Sequence, residues 1–407
     1  MERLRVLVVA LVIDGTDVGE TYSGFRWIEA LSRQTDLTLL CLQRPGRTPT
    51  SEQLPHARVI TWPEPAFLDR FERVRAQLKP AWPLLAYRAR RWIRDAPTRG
   101  EQFDIAHQIL PQAMRHRSPL RHFAIPYAIG PLGGSLPTPP GMRSEVGGED
   151  PMLVRLRALD GFRLRHDRGL RASYERAAAV LGVSPYVGEL LGGLALKRFE
   201  SVPERAGDAA ADFARSFPPA GTLKLLHVGR SIRTKGLRDL VRAMALLRDA
   251  PGITLTSAGD GPDLAACRAE ADRLGVADRI DFRGKIPRET VERLYQDSDL
   301  FAFPSFREPM GGVFFEAMRW GLPVVTADYG GPQALVDASS GIRVPVTDPV
   351  RYPADIATAI RALADDPARL ARLSAGARAR MAQFGDWDEK ASQTIALYRE
   401  LAGSRAN

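Results

Sequence analysis

Residues 300–318 read Leu-Phe-Ala-Phe-Pro-Ser-Phe-Arg-Glu-Pro-Met-Gly-Gly-Val-Phe-Phe-Glu-Ala-Met. The apolar run Leu300–Phe303 has the length of a fully buried strand, and Pro304-Ser305 ends it. Gly311 and Gly312 then permit close approach of backbone to a ligand, and the apolar run through Met318 opens a buried helix. The first N–H groups of such a helix form an anion site. Two carboxylates flank it, Glu308 and Glu316. Glu316 sits one turn into the helix beside Val313, Phe314 and Phe315. A carboxylate there favours the helix dipole, but among apolar neighbours it also needs a partner, and sugar hydroxyls would supply one.

The same strand–loop–helix rhythm runs through the chain. Strands are expected at Val6–Val12, Leu37–Leu42, Arg58–Thr61, Ile105–Ile109, Ala124–Ile129 and Ala179–Val183. In the second half they are expected at Lys224–Val228, Thr254–Ala258, Ile280–Arg283, Leu300–Phe303 and Pro323–Thr326, with helices such as Leu237–Arg248 and Pro262–Leu274 between them. Alternation of this kind predicts parallel sheets in α/β units. Two stretches interrupt it. Residues 131–150, rich in Gly and Pro, read as a long loop, and residues 201–221 read as an inter-domain linker. The expectation is an α/β chain of two doubly wound domains joined across a cleft: an N-terminal domain over 1–200, the linker 201–221, a C-terminal domain over 222–385, and a last helix over 386–407 that returns to the N-terminal domain. A chain of 407 residues is long enough for two such cores.

Composition bounds the partners. Residues 1–200 hold 29 Lys and Arg against 21 Asp and Glu, and the remainder 28 against 27, so the formal charge of +9 sits almost wholly in the first half. That points to an anionic partner there, although only six of the 57 basic residues are Lys, and an arginine bias of this kind also follows from base composition. Residues 70–94, which mix Arg with Trp82, Tyr87 and Trp92, suit a membrane surface and equally a solvated, partly core-packed pair of helices broken at Pro80 and Pro83, and the stretch 155–176 is equally Arg-rich. A nucleic-acid partner is not expected, because no nucleic-acid module is recognisable. Cys41 and Cys267 lie far apart and fit a reducing, cytoplasmic compartment. No segment approaches 18 apolar residues, so the chain is expected to be soluble, or peripheral on the inner face of a membrane.

Further chemistry-bearing residues cluster in the second half. Val228-Gly229-Arg230 ends a strand, and Lys235-Gly236 follows; two cations beside a strand end suit a diphosphate, Arg by bidentate contact and Lys as a mobile point charge. Gly259-Asp260-Gly261-Pro262 lacks the third glycine of a dinucleotide fingerprint. Two Asp-x-Asp triplets, Asp297 with Asp299 and Asp386 with Asp388, precede a strand and a helix and read as structural.

Taken in order, Arg230, Lys235, Ala258–Pro262, Arg283–Pro287, Glu308–Glu316, Gly321–Val325 and Gly330-Gly331 resemble glycosyltransferase family 4, glycosyl transferases group 1, closely over residues 220–345. The resemblance implies a retaining enzyme of the GT-B fold, two Rossmann-like domains facing across a cleft. It implies that Arg230 and Lys235 hold the donor diphosphate and that Glu308 contacts donor-sugar hydroxyls. Met310, Gly311, Gly312 and Val313 would lie along sugar and phosphate, Glu316 would take the ribose hydroxyls, and Ile286 would lie against the base. Where the family commonly places a Glu just after the Gly-Gly pair, this chain has Pro332-Gln333-Ala334, and nothing is assigned there. In the first half the likeness is fainter. Gly19 is the equivalent of a glycine near the donor phosphate, with Gly15 second, and His107 is placed as a catalytic residue facing the sugars.

The resulting expectation is a glycosyltransferase that moves a sugar from a UDP- or GDP-sugar, without a metal cofactor, to a glycan, lipid-linked or small-molecule acceptor, in polysaccharide, lipopolysaccharide or glycolipid biosynthesis. A sugar-nucleotide 2-epimerase of the same fold and a non-catalytic nucleotide-sugar-binding protein are the alternatives.

Overall fold

The computed structural model describes residues 3–17, 19–66, 78–146, 160–207, 211 and 213–403. They divide into two units. One takes in Met1–Ser135, Met152–Ala206 and Trp387–Asn407, the other Leu136–Pro151 and Gly207–Asp386.

The first unit is built on β1 (Arg5–Val12), β2 (Asp36–Gln43), β3 (Arg58–Pro63), β4 (Ile105–Gln108), β5 (Tyr127–Leu132), β6 (Ala179–Gly182) and β7 (Phe199–Ser201), in the order β3-β2-β1-β4-β5-β6-β7. The second is built on β8 (Leu223–Val228), β9 (Ile253–Ala258), β10 (Ile280–Gly284), β11 (Leu300–Phe303), β12 (Val324–Ala327) and β13 (Gly341–Val344), in the order β10-β9-β8-β11-β12-β13. Neighbouring strands are parallel throughout. Each sheet therefore winds outward from its first strand and then reverses, and the two Rossmann-like domains of the GT-B class are present. Helices of eight or more residues are α1 (Glu20–Gln34), α2 (Trp82–Arg94), α3 (Arg168–Glu175), α4 (Leu237–Leu246), α5 (Leu264–Leu274), α6 (Arg288–Asp297), α7 (Gly312–Arg319), α8 (Arg351–Ala364), α9 (Pro367–Gln383) and α10 (Trp387–Gly403).

The inner strands β4, β5, β11 and β12 are buried at every residue because helices cover both faces. All residues of β1 from Val6 to Val12 are buried. In the first unit α1 contributes Phe25, Trp27, Ile28 and Leu31 to the core, and α10 adds Ile395, Tyr398 and Leu401 to the same cluster. The Trp27 indole N–H donates to Thr394 Oγ1 at 3.1 Å, fixing α10 on α1. In the second unit Leu225, Leu255, Leu300 and Val325 from the strands meet Leu240, Val241 and Met244 of α4 and Ile356 and Ile360 of α8.

Three features differ from the sequence reading. Strands β7 and β13 were not anticipated, being only three and four residues long. The Gly/Pro-rich stretch begins as strand, because Pro131 falls inside a register shift between Ile129 and Leu132, where its missing N–H breaks no ladder bond. The N-terminal domain is not continuous over 1–200: residues 136–146 belong to the second unit. Met142 is fully buried in that unit's core, Arg233 pairs with Glu145 at 2.5 Å, and Tyr329 donates to the Pro137 carbonyl at 3.0 Å. An extended segment with so few apolar residues carries no periodicity by which to place it. At the expected linker, the first unit runs to Ala206 and the second starts at Gly207. Among the described residues no helix is long and apolar enough to cross a membrane.

Candidate functional site

In a doubly wound sheet, ligands bind outside the carboxyl ends of the two strands where the order reverses. In the second unit those strands are β8 and β11, and their loops carry the residues singled out above: Gly229–Gly236 after β8 and Pro304–Gly311 after β11.

The β8 loop is tightly held. Ser231 is buried; its N–H donates to the Asp260 carbonyl at 3.0 Å, and its carbonyl accepts from Asp263 N–H at 2.9 Å, which stitches the loop to the one after β9. Arg233 is clamped by Asp239 through two contacts of 2.7 and 2.9 Å, pairs with Glu145, and lies 5.2 Å from the Phe306 ring centre. It is an anchor, with most of its donors spent on Asp239 and Glu145. Arg230 is the opposite: it is exposed, and among the described residues no carboxylate pairs with it. Lys235 closes a short turn, its N–H donating to the Ile232 carbonyl at 2.9 Å. Its ammonium donates to Glu308 Oε2 and lies 5.8 Å from the centre of the Phe303 ring.

That ion pair joins the two loops. Both members are largely buried, with 15% of the Lys235 side chain and 11% of the Glu308 side chain exposed. A buried bond from Ser305 Oγ to the Thr234 carbonyl, 2.9 Å, reinforces the junction. On its other side the Glu308 carbonyl accepts from Gly331 N–H at 2.9 Å. The need for glycine here is steric. A Cβ on Gly330, whose φ is +72°, would lie 2.7 Å from the Glu308 carbonyl oxygen, and one on Gly331 would lie 2.5 Å from the Met310 Cα. The Gly330-Gly331 pair thus lets the loop after β12 lie against the backbone of Glu308–Met310.

Gly311 precedes α7 with φ +89°, and no side chain caps the helix. Gly312 and Val313 are half-buried in the first turn. Met310 is buried, filling the space beneath the loop. Glu316 is half-buried one turn further on, and its Oε2 accepts from the hydroxyl of the fully buried Tyr295 at 3.2 Å. Tyr295 on α6 was not anticipated; a tyrosine at the buried position of an otherwise polar helix is the signal that could have found it. Ile286 is half-buried in the loop that leaves β10, next to the loop after β9, whose Gly259 N–H donates to the Gly284 carbonyl at 2.8 Å.

Residues 136–146 add an unforeseen border. Arg307, beside Glu308, donates to Thr138 Oγ1 at 3.1 Å, and Leu136 packs against Gly330, its Cδ2 only 2.5 Å from where a Cβ would stand. Glu145, through Arg233, ties this segment to the β8 loop.

In the first unit the reversal lies between β1 and β4. Gly19 starts α1 with φ +67° and its carbonyl accepts from Ser23 N–H at 3.0 Å; the adjacent Val18 lies outside the described residues. Gly15 is packed under the Phe25 ring, 2.7 Å from a notional Cβ. His107 is corrected: it is not placed to act on a substrate. It sits on β4 between β1 and β5, fully buried, with Nδ1 at 2.6 Å from the Tyr398 hydroxyl and Nε2 at 2.8 Å from the Gly130 carbonyl. Nε2 therefore carries the proton and Nδ1 accepts from Tyr398. Trp27 and Tyr398 pack edge-on to the ring at 6.0 and 5.7 Å. Burial, opposed by the Gly130 carbonyl, pushes its pKa down to about 3. The ring is a neutral bolt between β4, β5 and α10.

The Asp-x-Asp triplets have structural partners. Asp299 accepts from the Lys224 N–H at 2.8 Å, and Asp388 pairs with Arg33 at 2.5 Å. Cys41 and Cys267 are free and buried. Of residues 70–94 and 155–176, those at 70–77 and 155–159 lie outside the described residues.

Residues 208–380 match the family described as Glycosyl transferases group 1. The C-terminal half is similar to glycosyl transferases group 1. Two curated relatives each match about half of this chain. One is the glycogen synthase of Mycobacterium tuberculosis, 34% identical over 195 residues, 47% of this chain and 46% of that protein. The other is the D-inositol 3-phosphate glycosyltransferase 1 of Catenulispora acidiphila, 37% identical over 213 residues, 49% of this chain and 50% of that protein. The chain spans about half the length of the curated relatives it matches. Among solved structures, Anabaena HepE in complex with UDP and glucose is similar over 97% of this chain and 99% of that one, with a TM-score of 0.61 at 18% identity. The two units thus have the GT-B fold.

Proposed function

We infer that the chain is a retaining glycosyltransferase of family 4 that takes a sugar from a nucleotide-diphosphate sugar and passes it to an acceptor hydroxyl. The observation that carries this reading is the Lys235–Glu308 ion pair at the strand reversal of the second unit, with the exposed Arg230, which pairs with no carboxylate among the described residues, on the same loop. A cation parked on a carboxylate beside a glycine-rich helix start is a site prepared for exchange. A donor diphosphate takes over Lys235 and Arg230, and Glu308 is released toward the sugar. In the reaction the two cations and the amides around Gly311 and Gly312 meet the charge that develops on the leaving diphosphate, so the charge is neutralised without a metal. Glu308 orients the donor-sugar hydroxyls, Glu316 the ribose, and Ile286 lies along the base. The acceptor oxygen enters on the face the diphosphate leaves, and a diphosphate oxygen takes its proton. UDP is the first nucleotide to try, since HepE is described with UDP and glucose. The acceptor class we favour is a glycan or lipid-linked intermediate at the cytoplasmic face of a membrane.

The test is binding and then transfer. A thermal-shift series with UDP, GDP and ADP should single out one nucleotide that stabilises the protein, and the matching sugar nucleotide should be hydrolysed or transferred in the presence of EDTA. Failure of every nucleoside diphosphate to shift the melting curve would remove the reading.

A further inference from the structure

Helix α2 has two faces. Leu85, Ala89 and Ile93 are buried in the first unit, while Tyr87, Arg90, Arg91 and Arg94 are exposed. Tyr87 is 65% exposed, far more than a ring of that size needs to reach water with its hydroxyl. The turn Pro119–His122 packs beside this face. Together Tyr87, Arg90, Arg91, Arg94, His122 and Phe123 line a pocket of about 360 Å³. It lies where the chain enters β4 and β5, at the amino ends of those strands, whereas Gly19 and its loop lie at the carboxyl end of the sheet.

The charge in this region is not balanced. Arg94 has Asp95 at 3.0 Å and Arg117 has Asp167 at 2.9 Å. Among the described residues Arg90, Arg91, Arg121 and Arg176 form no ion pair with a carboxylate; Arg121 donates to the Ser118 carbonyl at 2.6 Å and Arg176 to the Arg121 carbonyl at 3.1 Å. Burial and the neighbouring Arg117 and Arg90 hold the Arg121 guanidinium below its ordinary pKa, and burial with Arg121, Arg90 and Arg176 does the same to His122. Cations in the last turn of a helix are favoured by its dipole, which accounts for Arg91 and Arg94. The same argument covers Arg176 at the end of α3 and Arg121 and His122 in the last turn of Pro119–His122 one by one, but not the gathering of cations from three elements at one place. Crowded guanidinium groups with donors to spare, Arg90 and Arg91 among them, are what a phosphate group satisfies. An exposed tyrosine ring at the rim, with Phe123 beside it, belongs to the boundary between headgroups and acyl chains.

We propose that this pocket holds the phosphate of an anionic lipid headgroup and seats the first unit on an anionic membrane surface. The assignment is independent of the donor site and of the transfer reaction. Each arginine near such a surface contributes to binding, and the contributions multiply.

The experiment is vesicle co-sedimentation of the full chain at near-physiological salt. Phosphatidylcholine vesicles with and without phosphatidylglycerol are compared for the wild type, for the double variant Arg90→Glu/Arg91→Glu, and for Arg273→Glu/Arg288→Glu. The last pair lies on exposed faces of α5 and α6, with side chains 67% and 72% exposed, and changes net charge by the same amount. Binding of the wild type only to the anionic vesicles, lost at least tenfold in Arg90→Glu/Arg91→Glu and kept within threefold in the control, is expected. All three proteins should give the same circular dichroism. Equal binding by the pocket variant and the wild type would overturn the proposal, and so would equal loss in both variants, which would mean net charge alone. Stabilisation of the wild type by glycerol 3-phosphate without vesicle binding would also overturn it, by assigning the pocket to a soluble phosphate.

Discussion

Replacing Lys235 by Met removes the ammonium and keeps most of the stem, so its consequences can be worked from the ion pair. Glu308 would be left 8% exposed with no cation against it. An unsatisfied buried polar group costs about 1–3 kcal/mol, more when charged, and the ligand-free protein should melt several degrees lower, at roughly 2–4 °C per kcal/mol for a unit of this size. Loss of one charge-assisted bond to a diphosphate is worth about 1.5–3 kcal/mol, so affinity for the preferred nucleoside diphosphate should fall about tenfold to a hundredfold. Glu308→Gln gives the opposite sign. It removes the competitor for Lys235, so the bare nucleoside diphosphate should bind as tightly as to the wild type or more tightly, while sugar transfer is lost. Isothermal titration calorimetry with the nucleoside diphosphate, beside a transfer assay, separates the two. If both variants weaken nucleotide binding equally, or if Lys235→Met binds and melts like the wild type, the exchange of Lys235 between carboxylate and diphosphate is wrong.

Gly311→Ala should cost about 1–3 kcal/mol through its positive φ, and more because the new methyl would lie 2.5 Å from the Phe314 ring; a urea melt and the donor Kd should both worsen. His107→Phe should lower stability by about 1–3 kcal/mol by stranding the Tyr398 hydroxyl and the Gly130 carbonyl, yet leave the kcat of the folded protein within a fewfold of wild type; a loss of kcat with stability intact would return His107 to the chemistry. Acid should act on the same residue. Its folded pKa, about 3, lies below the ordinary 6.5, so the folded state binds fewer protons. The stability is complete above pH 6.5 and is lost as pH falls from there toward 3, a slope that His107→Phe should reduce in urea melts at successive pH values. Lys390, whose ammonium lies 4.0 Å from the centre of the Trp27 ring, is pushed by burial from 10.5 to about 7. The folded state again binds fewer protons, so stability should rise as pH climbs from 7 toward 10.5, and Lys390→Met should flatten that rise.

Most of the fold was legible because parallel strands covered on both faces read as unbroken apolar runs. Leu300–Phe303 is the strand expected, residue for residue, and β1 and β2 differ from expectation by one or two residues at their ends. The loops after β11 and β12 were legible for a related reason: Gly311 and Gly330 have positive φ, and a Cβ on either would clash, on Gly311 with the Phe314 ring and on Gly330 with the Glu308 carbonyl and the Leu136 side chain. What the sequence hid was pairing at a distance. Nothing local to Lys235 announces that its partner is Glu308, 73 positions away. Nothing in the Pro-rich stretch 136–146 announces that Met142 belongs to the other core. His107 misled for a physical reason, since a histidine at a strand end and a histidine one residue inside a fully buried strand read alike until the alternating faces are assigned.

The placement of His107 also bears on how the chain can work. With that ring neutral, buried and bonded on both nitrogens, the described residues of the first unit offer no histidine base on β4 for the acceptor hydroxyl. In the second unit the Glu308 carboxylate at the strand reversal is paired with Lys235. The proposed mechanism, which draws its proton acceptor from the leaving diphosphate, fits this arrangement, because the event that would recruit Lys235 would also deliver that acceptor. On that reading the same event would free Glu308. Donor binding would then do two things at once, neutralising the leaving group and releasing the carboxylate proposed to orient the sugar, and the Glu308→Gln variant is where the two can be pulled apart.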